Sequence, residues 1–130
     1  MPVEGLSLAL LTVICRFVAS VEQLEILLLL ARKPEACFTV EGVYEVIMST
    51  RISVERWLDQ MVAARLLIRQ PGPPLSYRFD PQEPGINALV NELSDSYKAY
   101  PVRVIEAIYK LRLPSDPAQD FADAFRIRKN

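Results

Sequence analysis

Apolar residues recur along this chain at the spacing of helices over most of its length. Residues 6–15 are almost wholly apolar. In residues 21–33 the apolar positions cover nearly every face of a helix: Leu24, Ile26, Leu27, Leu28, Leu29 and Leu30. A helix that is apolar on nearly all sides is expected at the centre of a fold. A further helix is predicted by the spacing of Val40, Val43, Tyr44 and Ile47.

Polar residues mark where these helices are expected to begin. Ser20 followed by Gln23 fits a capping box, in which Gln23 reaches back to the backbone N–H of Ser20. Thr39 and Ser53 are the N-cap candidates of the next two helices. The helix that Ser53 begins has one apolar side that is expected to be buried, formed by Val54, Trp57, Leu58 and Met61.

A short hairpin is expected directly after this helix. The helix should end at about residue 64, because Arg65 would otherwise place a cation in the middle of its buried side. The segments "RLLIRQ" (65–70) and "LSYRFD" (75–80) have the length and apolar content of strands. The "PGPP" between them is a turn signal. The pattern predicts two strands joined by a stiff, proline-rich tip.

The last third of the chain has a long helical pattern interrupted by a proline. Its apolar positions step by three or four residues, close to a heptad repeat: Ile86, Val90, Leu93, Tyr97, Tyr100, Val104, Ile108 and Leu111. Pro101 lies within the pattern, so a kink or two helices meeting at that residue is expected. A final helix is predicted from Asp116, with Phe121 and Phe125 on one face as docking anchors.

Composition narrows the classes of function. The chain has 130 residues, 51% of them apolar, which favours one folded domain with a real core. It contains no histidine, so catalysis by a Ser-His-Asp or Cys-His group and His-ligated metal sites are excluded. The carboxylate pairs Glu41/Glu45 and Glu55/Asp59 lie on predicted exposed faces without the apolar surroundings that shift a pKa. We expect no enzyme, no metal and no cofactor.

The two cysteines indicate a reducing compartment. Cys15 and Cys37 form neither a zinc-binding pattern nor a disulfide framework. We interpret them as reduced, mostly buried thiols of a cytoplasmic protein.

The apolar stretch near the N-terminus does not predict a membrane segment. It resembles the apolar part of a signal peptide, but the residues before it hold Glu4 and no basic side chain. It ends at Arg16 and is too short to span a bilayer. We predict a helix that packs against the rest of the fold or against a second subunit. An interfacial membrane helix over residues 6–18 is the less favoured alternative.

Residues 20–80 resemble a winged-helix domain of the MarR-like kind. The resemblance is carried by the order helix, helix, turn, helix and hairpin, and by "LDQMVAARLL" (58–67), which is similar to the end of that family's recognition helix. Residues 86–112 are similar to the dimerisation helices that flank such domains. The implied fold is mainly α with a small two-stranded β wing, divided into an N-terminal arm (1–19), a winged helix-turn-helix (20–80) and a dimerisation region (81–130).

The resemblance implies a homodimeric transcriptional regulator that binds double-stranded DNA, with helix 53–64 in the major groove. A DNA-reading surface is usually strongly cationic, but between Thr39 and Asp80 this chain has five basic and five acidic residues and is neutral overall. Arg65 also stands where the family usually has glycine. The implied DNA contacts are Ser53, Arg56, Gln60, Arg51, Arg69 and Arg78. The implied dimer interface is Ile86, Val90, Leu93, Tyr97, Tyr100, Val104, Ile108, Phe121 and Phe125.

Other interpretations of the same residues remain open. Arg56 could pair with Glu55 or Asp59 on a solvated surface. Tyrosines 97, 100 and 109 could line a small effector pocket, or serve as interface aromatics. Trp57 is expected to pack in the core. The alternative function is a non-catalytic protein–protein interaction module on a winged-helix scaffold that does not bind DNA.

Overall fold

The computed structural model describes residues 6–112, and the predicted helix around Phe121 and Phe125 lies outside them. These residues form six helices and a three-stranded antiparallel sheet, an arrangement compatible with a winged-helix-like fold. The elements are α1 Leu8–Phe17, α2 Val21–Ala31, β1 Phe38–Thr39, α3 Val40–Ile47, α4 Arg51–Ala63, β2 Leu67–Gln70, β3 Ser76–Phe79, α5 Ile86–Ala99 and α6 Pro101–Arg112.

Helix α2 lies at the centre of the core, as its apolar sequence predicts. Leu24, Ile26 and Leu27 are fully buried. Ser20 is its N-cap and accepts from the Gln23 backbone N–H at 3.0 Å. The Gln23 side chain is itself buried and bonds further back than the expected capping box, because its amide accepts from the Ala19 N–H and donates to the carbonyl of Phe17. The buried amide thereby fixes the connection between α1 and α2.

The sheet has a third strand that the sequence pattern does not reveal. β1 pairs with β3, and β3 pairs with β2, so the order in space is β1-β3-β2. The predicted hairpin is confirmed as β2 and β3, but the sheet has one strand more than the two that the sequence predicted. β1 has only Phe38 and Thr39, too short for any alternation, and Thr39 also serves as the N-cap of α3. The strand joins the hairpin to the helical part of the domain.

Helix α4 begins three residues earlier than expected. Its N-cap is Thr50, whose hydroxyl accepts from the Ser53 backbone N–H at 3.1 Å, so Ser53 lies within the first turn. The expected C-terminus is confirmed, since the helix ends at Ala63. Leu66 N–H bonds the carbonyl of Met61, and Arg65 N–H bonds that of Val62, which together form a Schellman motif.

The long C-terminal pattern is two helices that meet at Pro101, as predicted. α5 ends at Ala99 and α6 begins at Pro101, with Tyr100 between them in a non-helical conformation. α1 packs against both helices and supplies the apolar surface that covers them. Five predicted dimer residues are thereby buried within a single chain (Ile86, Val90, Leu93, Val104 and Ile108). In this fold they face α1 or the core, so a second copy would have to use other residues.

Both cysteine side chains are exposed and outside any disulfide, which corrects the expectation of buried thiols. Cys15 lies on the outer side of α1, and Cys37 lies in the connection before β1.

Within residues 6–112, no helix is both long and apolar enough to cross a membrane.

Candidate nucleic-acid interface

The outward face of α4 presents a narrow row of exposed side chains. Successive helical residues are offset by about 100°, which places this row opposite the buried residues Val54, Leu58 and Met61. We call this row the outer stripe; it consists of Ile52, Arg56, Gln60 and Ala63, all of them exposed. The stripe runs along the axis of α4, a helix that also packs against β2 of the hairpin.

Two members of the outer stripe carry the chemistry that reads base edges. An arginine can donate two hydrogen bonds to guanine, and a glutamine can pair with adenine. Arg56 makes no ion pair with Glu55 or Asp59, and neither Arg56 nor Gln60 forms a side-chain hydrogen bond with another residue of the described part of the chain. Both side chains are therefore available to an external partner.

Ser53 is placed differently from the sequence prediction. Its hydroxyl donates to Glu22 Oε2 at 2.8 Å, and Ser49 donates to the same oxygen at 2.7 Å. The two serines thus tie the turn before α4 to the first turn of α2. Ser53 is half-buried in this arrangement. A hydroxyl engaged in this way is a structural element of the turn, and we remove Ser53 from the candidate contacts.

Arg51 is held by a neighbouring carboxylate. Its guanidinium donates two hydrogen bonds to Glu41 on α3, at 2.6 and 3.0 Å, and lies 4.4 Å from the ring centre of Tyr44. The hydrogen bond from Arg51 lowers the pKa of the Glu41 carboxyl. Both side chains are largely solvent-exposed. The first turn of α4 is consequently less cationic than the presence of Arg51 suggests.

Arg69 belongs to a polar group that joins α4 to the hairpin. Asp59 Oδ1 accepts from Arg69 and from the Tyr77 hydroxyl, both at 2.8 Å. Tyr77 is fully buried, and burial raises its pKa, with a further contribution from the hydrogen bond to Asp59. The hydrogen bond to Asp59 also raises the pKa of Arg69. Asp59 is therefore a structural anchor of the hairpin and not an acidic intrusion into the outer stripe.

The remaining hairpin arginine is also paired. Arg78 lies 3.6 Å from Asp80, with its side chain about two-thirds buried. Three of the predicted DNA contacts, Arg51, Arg69 and Arg78, thus have a carboxylate partner in the free protein. The pairs of Arg51 and Arg69 are exposed, and such pairs contribute only about 0–1 kcal/mol each, so a phosphate can compete for these two arginines at modest cost.

The sequence prediction missed two exposed apolar residues, one on each side of the turn between α3 and α4. Met48 ends α3, and Ile52 lies in the outer stripe, and each is 71% exposed. Ile52 escaped notice because the misplaced N-cap at Ser53 left it outside the predicted helix. Once the helix begins at Arg51, Ile52 stands one turn before Arg56 on the same face.

Left-handed backbone conformations bracket α4. Met48 has φ 62° and Arg65 has φ 67°, in a region that ordinary side chains enter at a cost of about 1–2 kcal/mol. Both side chains point to solvent. Non-glycine residues in such conformations are enriched at functional sites. Arg65 therefore adopts a backbone conformation that glycine usually occupies.

Two surface cavities lie away from the outer stripe. One, of about 270 Å³, is formed where α1, the end of α4 and the start of α5 meet, and Arg16, Arg65 and Glu83 line it. The other, of about 200 Å³, includes Tyr97, whose hydroxyl donates to Glu25 at 2.9 Å. Tyrosines 100 and 109 lie at the surface. Among residues 6–112 no cluster of cysteine, aspartate and glutamate is suited to hold a metal ion.

No known family model, curated protein or solved structure matches this chain significantly.

Proposed function

We propose that this chain is a DNA-binding transcriptional regulator of the winged-helix type that acts as a homodimer. The observation that carries the proposal is the outer stripe, in which the side chains of Arg56 and Gln60 are exposed and form no hydrogen bond within the described residues. The stripe lies on α4, the helix between α3 and the hairpin. This is the position from which a recognition helix enters the major groove.

Binding should rest more on groove contacts than on the phosphate backbone. The five arginines between Thr39 and Asp80 limit the slope of log K against log salt to about −4.5 per chain, at about −0.9 per neutralised phosphate. Three of them are paired in the free protein. Each must exchange a carboxylate for a phosphate, so we expect a slope well short of that limit.

A dimer would use the outer surfaces of α1 and α6. These helices pack together and expose the apolar side chains of Leu8, Val102, Tyr109 and Leu111. Exposed apolar side chains of this kind lose their contact with water when a second copy covers them. A two-fold dimer would present two copies of α4 to a pseudo-palindromic site.

Selection from a random-sequence DNA pool, followed by fluorescence anisotropy on the selected site, tests the proposal. Arg56→Ala and Gln60→Ala should each weaken binding by about tenfold, since a good bidentate base contact is worth ~1–3 kcal/mol. Lys33→Ala, a matched loss of side chain at the exposed end of α2, should leave binding unchanged. Failure to enrich any sequence at low salt would exclude DNA as the partner.

A protein-interaction module is the second candidate. Two observations favour it: the side chains of Met48 and Ile52 are exposed and apolar, and residues 39–80 carry equal numbers of acidic and basic side chains. Interface centres are depleted of charge and enriched in methionine and aromatic residues. The selection experiment separates the two candidates, because a protein-binding surface would enrich no DNA sequence.

A further inference from the structure

Ile52 is exposed at a place where the fold gains nothing from it. It lies on the side of α4 opposite the buried residues, and 71% of its surface is accessible. A β-branched residue is also a weaker helix former than a straight-chain one. Its neighbour Arg51 is turned to Glu41, so the first turn of α4 offers an apolar contact in place of a cationic one.

The outer stripe has the dimensions of a base-reading row. Ile52, Arg56 and Gln60 follow each other at intervals of four residues, about 6 Å along the helix axis. This interval corresponds to roughly two base-pair steps of about 3.4 Å. Three side chains of different chemistry therefore meet three different positions of a groove along which the helix lies.

We propose that Ile52 is a specificity-determining residue that contacts the 5-methyl group of a thymine in the major groove. The same stripe then places Arg56 at a guanine about two base pairs away. Thymine is the base that offers an apolar group in that groove, and guanine offers the O6 and N7 acceptors that suit arginine. This inference rests on the proposed DNA-binding function and names the bases that the outer stripe reads.

The chemistry also explains why the stripe can work without excess positive charge. Contact with a methyl group removes apolar surface from water and needs no counterion release. Arg56 is the cation of the stripe, flanked by an apolar and an amide side chain. Base identity, more than phosphate charge, would then govern binding.

Single-atom changes in the DNA test this inference on the selected site. Each thymine is replaced in turn by deoxyuridine, which removes only the methyl group. At one thymine of each half-site, the replacement should lower the affinity of the wild-type chain about fourfold, the expected effect of one lost methyl contact. The Ile52→Ala chain should be indifferent to the replacement at that position and retain its sensitivity elsewhere.

The guanine is tested by 7-deazaguanine, which lacks the N7 acceptor. At a position about two base pairs from the sensitive thymine, this change should weaken wild-type binding about tenfold, and Arg56→Ala should abolish the difference. As a second variant, Ile52→Gln should shift the selected base from thymine to adenine. Because residue 52 is at the surface, circular dichroism and urea unfolding should show that these variants fold like the wild type.

The outcomes distinguish the inference from the function on which it rests. DNA binding that is insensitive to every thymine replacement, or equally sensitive in Ile52→Ala, overturns the inference and leaves the DNA-binding proposal intact. Absence of any selected DNA overturns both. If Ile52→Ala instead abolishes binding to a protein partner in a chain that selects no DNA, the surface belongs to the second candidate function.

Discussion

At the scale of single residues, Arg65 has a left-handed backbone conformation that its residue type disfavours. The Schellman motif at the end of α4 requires a left-handed residue at this position, which glycine occupies at low cost. Arginine occupies it at φ 67°. Its carbonyl also accepts from Gln82 N–H at 3.0 Å, which connects the end of α4 to the segment before α5. Arg65 therefore lies where the end of α4 meets α1 and the segment before α5.

Arg65→Gly should raise the free energy of unfolding by up to about 1.5 kcal/mol. The relief of about 1–2 kcal/mol of left-handed strain exceeds the ~0.5–1 kcal/mol that glycine adds through the entropy of the unfolded chain. Urea unfolding measures the change. Ala64→Gly is the matched control, because residue 64 has an ordinary φ of −82°, and it should lower stability by about 0.5–1 kcal/mol. Equal losses in both variants would contradict the strain argument.

Residue identity alone predicted some of the site and misled on the rest. Arg56 and Gln60 could be placed on an outward face, since periodicity distinguishes the buried side of α4. The roles of Ser53 and Asp59 could not, because their partners Glu22 and Tyr77 are 31 and 18 residues away along the chain. Those long-range hydrogen bonds convert a predicted contact residue and a predicted acidic flank into structural links.

At the scale of elements, the hairpin is joined to α4 by one polar group, in which Tyr77 is buried and Asp59 and Arg69 are partly exposed. Tyr77 lies in β3 with its hydroxyl on Asp59, and Arg69 in β2 reaches the same carboxylate oxygen. The pleat brings these two side chains together, because Arg69 and Tyr77 are register partners. We expect this group to fix the orientation of the hairpin relative to the outer stripe.

The Tyr77 phenol should make stability fall at alkaline pH. Its pKa in the folded state is raised above the ordinary value of 10.0. The contribution to stability is therefore fully present below pH 10 and is lost as the pH rises through the folded pKa. Tyr77→Phe should cost about 0.5–1.5 kcal/mol at neutral pH and flatten the alkaline decline.

Urea unfolding between pH 7 and 11 gives this comparison. Asp59→Asn provides the complementary variant, because an amide can still accept from the tyrosine hydroxyl but no longer repels a phenolate. Its alkaline decline should be shallower than that of the wild type. An unchanged decline in Tyr77→Phe would assign the effect to other groups.

The sequence predicts an element boundary well where a local feature such as a proline sets it. It predicts the boundary poorly where contacts with distant residues set it. Pro101 divides α5 from α6, and Arg65 follows the end of α4, as the sequence indicated. β1 has two residues and exists because Phe38 pairs with Tyr77. No periodicity can be read from so short a strand. The start of α4 was misplaced because Thr50 and Ser53 are both good N-caps and only the folded turn decides between them.

At the scale of the whole molecule, the heptad-like pattern had two possible partners, a second chain or another helix of the same chain. In the structure the partner is a helix of the same chain, because α1 packs against α5 and α6. The sequence could not decide this, because the apolar residues of α1 suit either arrangement equally. Within residues 6–112, α1 and α6 still expose apolar side chains on their outer sides, which a second copy could cover.

Light scattering on the full chain should give the mass of a dimer at micromolar concentration. Val102→Asp should produce a monomer, because Val102 is 65% exposed on α6 and a charge buried in the proposed interface would lose its solvent without gaining a partner. Val46→Asp is the matched control, since Val46 is 59% exposed on α3, away from this surface, and should leave the dimer intact. A monomeric wild type at that concentration would contradict the dimer.

The same pair of variants connects assembly to DNA binding. A dimer engages two half-sites at once, so its second contact is intramolecular and its affinity for a palindromic site exceeds that of one half-site. Val102→Asp should therefore lose affinity for the full site and bind an isolated half-site as the wild type does. Val46→Asp should behave as the wild type on both. If Val102→Asp bound the full site unchanged, each copy of α4 would act alone, and the two-fold arrangement would have no part in recognition.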